Sequence, residues 1–399
     1  MDAPKSTLEA ASPVKAKKSQ GDSLYSLAWR QFLRHPMAKV ALSVLAVLYF
    51  FSAFADFFAP YPERFGDARS TFSPPTQVHF RNGDGEFVRP FVYGMTKTLD
   101  LETFENVWTP DTEKVYPIDF FVRSTSPRDR YVPFPVNLIP ITLRDTLGIR
   151  PWATLRLFGV DPPGRIYLWG SDDVGSDVFG KILFGGRISL TIGIIASLVA
   201  ILLGVLLGGV AGFYGGWVDE LVLRFDEALS AIPGIFLLLS LAAIFYPLNW
   251  PPSYVFFAVV IALALISWGG IARSVRSIIF SSREQEYAYA AKALGAGNGR
   301  IIFRHLVPQT LSYLVVVMSL LIPGFILTEA VLSFYGLGIQ RPATSWGLML
   351  ASAQAFTGVA GLTERWWIYL PGLFIFISVL AWNLLGDGLR DAFDPRSRD

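Results

Sequence analysis

Six stretches of this chain are long and apolar enough to demand a lipid environment. Windows at 38–58, 188–212, 229–246, 253–272, 311–335 and 368–386 each hold roughly the 20 residues that about 30 Å of hydrocarbon requires. They contain three charged residues. Lys39 and Asp56 sit near window ends, where a side chain can reach the interface. Only Glu329 lies inside a window. Charged residues make up 17% of the chain, against about 25% in a soluble domain. A chain of 399 residues has ample core without this excess, so the surplus apolar surface belongs in a membrane. The net charge of +2 provides no basic field for nucleic acid. With no cysteine, and three histidines scattered at 35, 79 and 305, no metal site is expected.

An even number of spans puts both termini on one side, and basic residues choose which. Residues 1–39 carry seven lysines and arginines, and loop 273–308 carries Arg273, Arg276, Arg283, Lys292, Arg300 and Arg304. The opposite loop, 336–367, has Arg341 and Arg365. The N-terminus, loop 273–308 and the C-terminus are therefore expected in the cytoplasm. The fold class that follows is an all-α polytopic membrane protein with a strand-containing extracytoplasmic insertion between helices 1 and 2. Its parts are a tail and interfacial elbow (1–37), helix 1 (38–58), the insertion (59–187), a core of helices 2–6 (188–388) and a tail (389–399). Cleavage of window 38–58 as a signal peptide is disfavoured, because the leader is long and the apolar run is long enough to span. Segment 344–361 is read as a short helix or loop on the outer surface, since Ser, Thr, Gln and three glycines interrupt it.

Local signals refine this outline. Residues 23–35 read as an interfacial helix, with Ser23, Ser26, Arg30 and Arg34 forming a polar stripe. Asn82-Gly83-Asp84-Gly85 between two apolar runs signals a hairpin, and 116–122 reads as a strand. Gly204, Gly208 and Gly212 leave one helix face bare, which invites close approach by a neighbour. Pro233 and Pro323 fall inside spans, where proline kinks a helix.

Candidate sites are few. Gly175–Ile182 approaches a phosphate-binding loop but has Ile182 where magnesium needs a hydroxyl. No HExxH or GxSxG pattern occurs, so no hydrolytic centre is visible. Glu329, ionisable within a span, is a candidate for the substrate path or for helix packing. Asn383 is a second such position, more suited to bonding a neighbouring helix. Asp387 and Arg390 have the spacing for an ion pair.

Loop 273–308 is the most informative stretch. Glu284–Leu294 is a strong helix former too short and polar to span. Ser281 with Glu284, or Ser282 with Gln285, has capping-box spacing, and Gly295 suits a left-handed stop. A helix of about 11 residues is marginal alone. Ala288, Ala290, Ala291 and Ala293 keep it slim. Docking to a partner and an ordinary solvent-exposed connection fit these residues equally.

Ala290-Ala291, then Gly295, then Pro308 resembles the EAA loop of bacterial ABC-importer permeases, with Tyr289, His305 and Val307 departing from it. The wider blocks 286–296 and 301–308 resemble the oligopeptide/dipeptide/nickel branch. So do 170–178, Tyr214–Asp219 with Asp226 and Pro233, Glu329–Gly338 with Ser345–Gly347, and Asn383–Arg396. Most of 59–167 lies outside the resemblance; its length is similar to permeases for larger peptides, such as the microcin C type. The resemblance implies a six-helix permease, one of two membrane subunits of an ATP-driven peptide importer, and no enzyme. It implies as partners a second homologous permease, two cytoplasmic ATPases and an extracytoplasmic solute-binding protein. ATP and magnesium would belong to the ATPases, with no cofactor on this chain. It places the ATPase-coupling helix at 286–297, with Glu286, Tyr289, Ala290, Ala291, Leu294, Gly295 and Pro308 as its motif residues, in the inner membrane of a bacterium. The alternatives are a secondary transporter or channel and, for cargo, nickel chelates or modified and antibiotic peptides.

Overall fold

The computed structural model describes residues 30–83, 85–99, 101, 106–123, 155–245, 250–355 and 359–393. Most of the expected elbow helix, 23–29, and the tails 1–22 and 394–399 lie outside these. Arg30–Phe32 are helical, and Phe32 is buried.

After Arg30–Phe32 come α1 (Pro36–Ala53) and a one-turn continuation, α2 (Ala55–Phe58). Pro36 opens α1 and His35 Nδ1 accepts from Ala38 N at 3.2 Å, so the helix start is capped. Four strands follow: β1 (His79–Arg81), β2 (Phe87–Leu99), β3 (Asn106–Arg123) and β4 (Leu155–Val160). They form an antiparallel sheet in sequential order. The hairpin expected at 82–85 joins β1 to β2, and Asn82 Oδ1 accepts from Glu86 N at 2.9 Å. Val92, Ile118 and Ile166 make the sheet's small apolar centre, each contributing about 1.5–3 kcal/mol by burial.

The helical core comprises α3 (Val178–Tyr214), α4 (Gly216–Ser230), α5 (Gly234–Phe245), α6 (Pro252–Ser282), α7 (Glu286–Ala293), α8 (Asn298–Ile301), α9 (Leu311–Phe334), α10 (Trp346–Ala351), α11 (Val359–Glu364) and α12 (Leu370–Phe393). A π-turn and a 3-10 turn connect α8 to α9 with no break in the rod. Among the described residues, five helical segments are long and apolar enough to cross a membrane: 36–53, 178–214, 252–282, 298–334 and 366–393.

The sixth expected span, 229–246, is different. Pro233 does not kink a continuous helix. It separates amphipathic α4 from α5, whose 12 residues reach about 18 Å; 246–249 lie outside the described residues. Pro323 does sit within continuous α9. The described residues of segment 344–361 include the short α10, a 3-10 turn and the start of α11, consistent with a piece that does not cross.

Helix α3 starts at Val178, ten residues before its apolar window. Lys181 and Arg187 dilute the hydropathy there, yet both are neutralised, Lys181 by a carboxylate in the loop just before α3 and Arg187 by one distant in sequence. Lys181 Nζ lies 2.7 Å from Asp172 Oδ2. Arg187 pairs with Asp56 and donates through Nε to Ser52 O at 2.7 Å.

The glycine stripe does what its spacing predicts. Helices α3 and α6 make the most extensive helix–helix contact among the described residues. A Cβ at Gly208 would lie 2.4 Å from Ala272 O, and one at Gly212 would lie 2.7 Å from Arg276 O. Backbone meets backbone, which only glycine permits. Helix α9 packs on α3 and α12, and α1 packs on α12 and α3.

Candidate functional site

Loop 273–308 becomes the end of α6, helix α7 and the entry to α8. Arg283 Nη1 donates to the carbonyls of Gly212 (3.2 Å) and Phe213 (2.9 Å), pinning the loop to the last turn of α3. Ala288 and Ala291 are buried in one apolar cluster with Ile279, Ile301 and Leu306. Gly295 has φ +79°. Its N–H donates to Lys292 O at 3.0 Å, and Ala296 N–H donates to Ala291 O at 3.1 Å. This is a Schellman stop, satisfying carbonyls that would otherwise be left bare.

The predicted capping boxes do not form. Helix α6 runs through Ser282, so both serines are already inside it, and Ser281 Oγ donates to Ile278 O at 3.0 Å. The cap of α7 is Gln285, without a side-chain bond, and the helix has eight residues. Tyr289 instead donates its hydroxyl to Glu284 Oε2 at 2.6 Å. That bond raises the Tyr289 hydroxyl above its ordinary range and lowers Glu284 below its own.

The helix therefore has two faces. Ala291 points inward with Ala288. Glu286, Tyr287, Tyr289, Ala290, Lys292 and Ala293 are exposed, and Leu294 is 89% exposed. Pro308 is exposed in the 3-10 turn after the loop. A leucine so bare beside two exposed tyrosines, on a helix locked at both ends, is a surface suited to another molecule.

Two ion pairs tie α4 to α6 near this end: Asp219 with Arg276, through both carboxylate oxygens, and Asp226 with Arg273. Gly269 makes room for the second, because a Cβ there would lie 1.5 Å from Asp226 Oδ1. The sequence carried this signal in the seven-residue spacing of Asp219 and Asp226, which puts both on one helical face. Nothing in the sequence identified their partners.

Glu329 is fully buried in α9. Its Oε1 accepts from Ser333 Oγ at 2.7 Å and its Oε2 from Ser189 Oγ at 3.0 Å. Each serine passes the bond on: Ser333 Oγ accepts from Ile339 N at 3.0 Å, and Ser189 Oγ from Trp346 N at 3.1 Å. One carboxylate thus joins α3, α9, the following loop and α10. It does not line the open cavity of about 320 Å³ bounded by Leu238, Val259, Leu332 and Arg341. Asn383 is exposed on α12. At that end of α12 the pair formed is His35 Nε2 with Asp391 Oδ2 at 3.7 Å.

The phosphate-loop lookalike has spent its amides. Val174 N and Ser176 N donate to Asp172 Oδ1 (3.0 and 2.8 Å), and Gly180 N donates to Asp177 Oδ2 at 2.7 Å. Asp177 caps α3, and its Oδ1 is buried without a hydrogen-bond partner. Burial pushes its carboxyl up to about 7.

Residues 182–399 match the family described as binding-protein-dependent transport system inner membrane component. The chain belongs to this family. Residues 23–75 match a second pattern, the N-terminal TM domain of oligopeptide transport permease C. The chain is 37% identical over 249 residues to the oligopeptide transport system permease protein OppC of Bacillus subtilis, covering 62% of this chain and 78% of that one. It is 39% identical over 236 residues to the dipeptide transport system permease protein DppC of Alkalihalophilus pseudofirmus (59% and 74% covered). It is 40% identical over 234 residues to the glutathione transport system permease protein GsiD of Pectobacterium atrosepticum (59% and 74% covered). This permease is a multi-pass protein of the inner membrane and a transport subunit with no enzymatic role of its own. Residues 76–181, which hold the whole sheet, fall between the two matched stretches.

Proposed function

We propose that this permease is one of a pair of membrane subunits enclosing the pathway of an ATP-driven importer for peptides or peptide-like solutes. Its partners are a second homologous permease, two cytoplasmic ATPases that hold the ATP and magnesium, and an extracytoplasmic solute-binding protein. With α4 and α5 together counted as the sixth crossing, the basic residues of 1–39 and of loop 273–308 support α7 and both termini in the cytoplasm and the sheet outside. The observation that carries the reading is the exposed face of α7, in the stretch whose sequence resembles the EAA loop of such permeases. Tyr287, Tyr289, Ala290 and Leu294 meet an ATPase groove, while Ala288, Ala291 and the Gly295 stop hold the helix to the bundle. Arg283 carries its displacement into α3 and α6. Transport is then a shift in population between inward-open and outward-open arrangements. Glu329 acts as a staple that keeps α3, α9 and α10 together.

The test is copurification. The full-length chain, extracted from its own membrane, retains an ATPase, and Leu294→Asp with Ala290→Arg releases it while the chain remains inserted. Full ATPase retention by that variant refutes the docking role. Cargo is tested by uptake of labelled peptides in a strain lacking this chain, with and without restoration.

A further inference from the structure

The outer end of α1 is a ladder of phenyl rings. Phe54 lies 4.9 Å from Phe50 between ring centres, Phe50 lies 6.0 Å from Phe58, and Phe58 lies 5.1 Å from Phe57. Phe50, on a helix long and apolar enough to cross the membrane, and Phe54, the residue that caps it, are half exposed and open to lipid. The ladder does not stop where the helix stops. Phe57 lies 6.4 Å from Phe121, a residue of β3 from the sheet insertion. Phe121 is 62% exposed, and Leu155 at the start of β4 is 43% exposed. The backbone reaches this arrangement at a cost, because Phe121 has φ +57°, a left-handed conformation that bulky residues rarely adopt. Strand β4 is packed on α2 beside it, and Arg156 Nη1 donates to Pro60 O at 3.4 Å.

We infer that Phe121 and Leu155 form a membrane-contact edge, by which the insertion rests in the headgroup–acyl boundary of the bilayer. The occupant of this patch is phospholipid. Three observations select it. Phe121 is continuous, ring to ring through Phe57, with the exposed phenyl ladder at the end of α1. The patch is built of phenylalanine and leucine, the residues that enter that boundary from an amphipathic surface. It also stands at the right height. The 18 residues of α1 span about 27 Å, which leaves Phe57 and Phe121 at the edge of a hydrocarbon layer of about 30 Å. The inference needs only that α1 crosses a membrane, and it stands apart from the proposed cargo and ATPase.

The absence of cysteine makes the experiment direct. Phe121→Cys and Leu155→Cys each carry a single nitroxide label, with Phe54→Cys as the lipid-facing reference and Glu113→Cys, exposed on β3, as the aqueous one. The full-length chain, with the subunits that accompany it, is reconstituted in phosphatidylethanolamine/phosphatidylglycerol nanodiscs. Collision with oxygen and with a water-soluble nickel chelate is then measured. The expected result is an oxygen-to-nickel ratio at 121 and 155 several-fold above that at 113 and approaching that at 54. A water-like ratio at both positions overturns the inference. Protection from both reagents also overturns it, because it would mean that another protein covers the patch.

Discussion

The bundle and the sheet insertion solve opposite problems. In the bundle, contacts are made by removing side chains: Gly208 and Gly212 let α3 meet the backbone of α6, and Gly347 would place a Cβ 2.4 Å from Ala330 O. In the insertion, large side chains are left out: Phe87, Phe120 and Phe121 are all more than half exposed. Lipid offers helices no hydrophobic gain on association, so the bundle depends on close fit and internal polar bonds. A four-stranded sheet in water has little interior, and its exposed rings need an outside surface. The difference teaches that the bundle is determined from within and the insertion by what lies against it.

Four experiments sharpen or break this contrast. The largest effect is expected from Gly208→Leu. The atom its Cβ meets is a backbone carbonyl that has no rotamer to escape into, so α3 and α6 must separate. Loss of more than the ~1–3 kcal/mol of ordinary overpacking is expected, read as failure to recover a monodisperse protein in detergent. A normal melting curve would show that the interface is looser than described.

Glu329→Ala comes next. It leaves Ser189 and Ser333 without their acceptor in a dry interior, costing about 1–3 kcal/mol in thermal unfolding, whereas Glu329→Gln retains an acceptor and loses less. If Ala is tolerated but uptake stops, Glu329 belongs to the pathway and not to packing.

Asp177→Asn tests the junction between the two regions through pH. The Asp177 carboxyl titrates near 7 in the folded chain and near 3.9 when unfolded. The folded state therefore binds the proton more tightly. Its contribution is complete below about pH 4 and is lost as pH rises through 7. Melting temperature in the wild type should fall over that range, and the Asn variant, which keeps a cap acceptor but cannot ionise, should flatten that part of the curve.

The smallest effect is expected from excising 95–110, the distal part of the β2–β3 hairpin beyond the Gly94–Asp111 pair, and closing the gap with Asn-Gly. Melting of the bundle should not change. A lower melting temperature would mean that the hairpin and bundle unfold as one unit.

What the residues alone disclosed follows the same divide. The glycine stripe, the hairpin at Asn82 and the stop at Gly295 are local rules, and each is where its rule puts it. The start of α3 was not legible, because Lys181 and Arg187 look too polar until the preceding loop folds Asp172 onto the first and the end of the α1–α2 rod brings Asp56 to the second. The capping boxes failed because α6 continues through Ser281 and Ser282. The inward turn of Ala291 depends on how α7 is rotated against Ile279 and Ile301, which helix spacing alone does not fix. The break at Pro233 was visible as a proline, but whether it bends a rod or divides two depends on α4 being held aside by Arg273 and Arg276.

The glycine stripe also has a mechanical meaning. Two helices joined through their backbones have no side-chain slack between them, so α3 and α6 behave as one stiff beam. The 37 residues of α3 make that beam about 55 Å long. A tilt of about 10° imposed where Arg283 grips one end sweeps the far end through about 10 Å over that length. That is a large stroke at the sheet end from a small rotation beside α7, obtained without bending either helix.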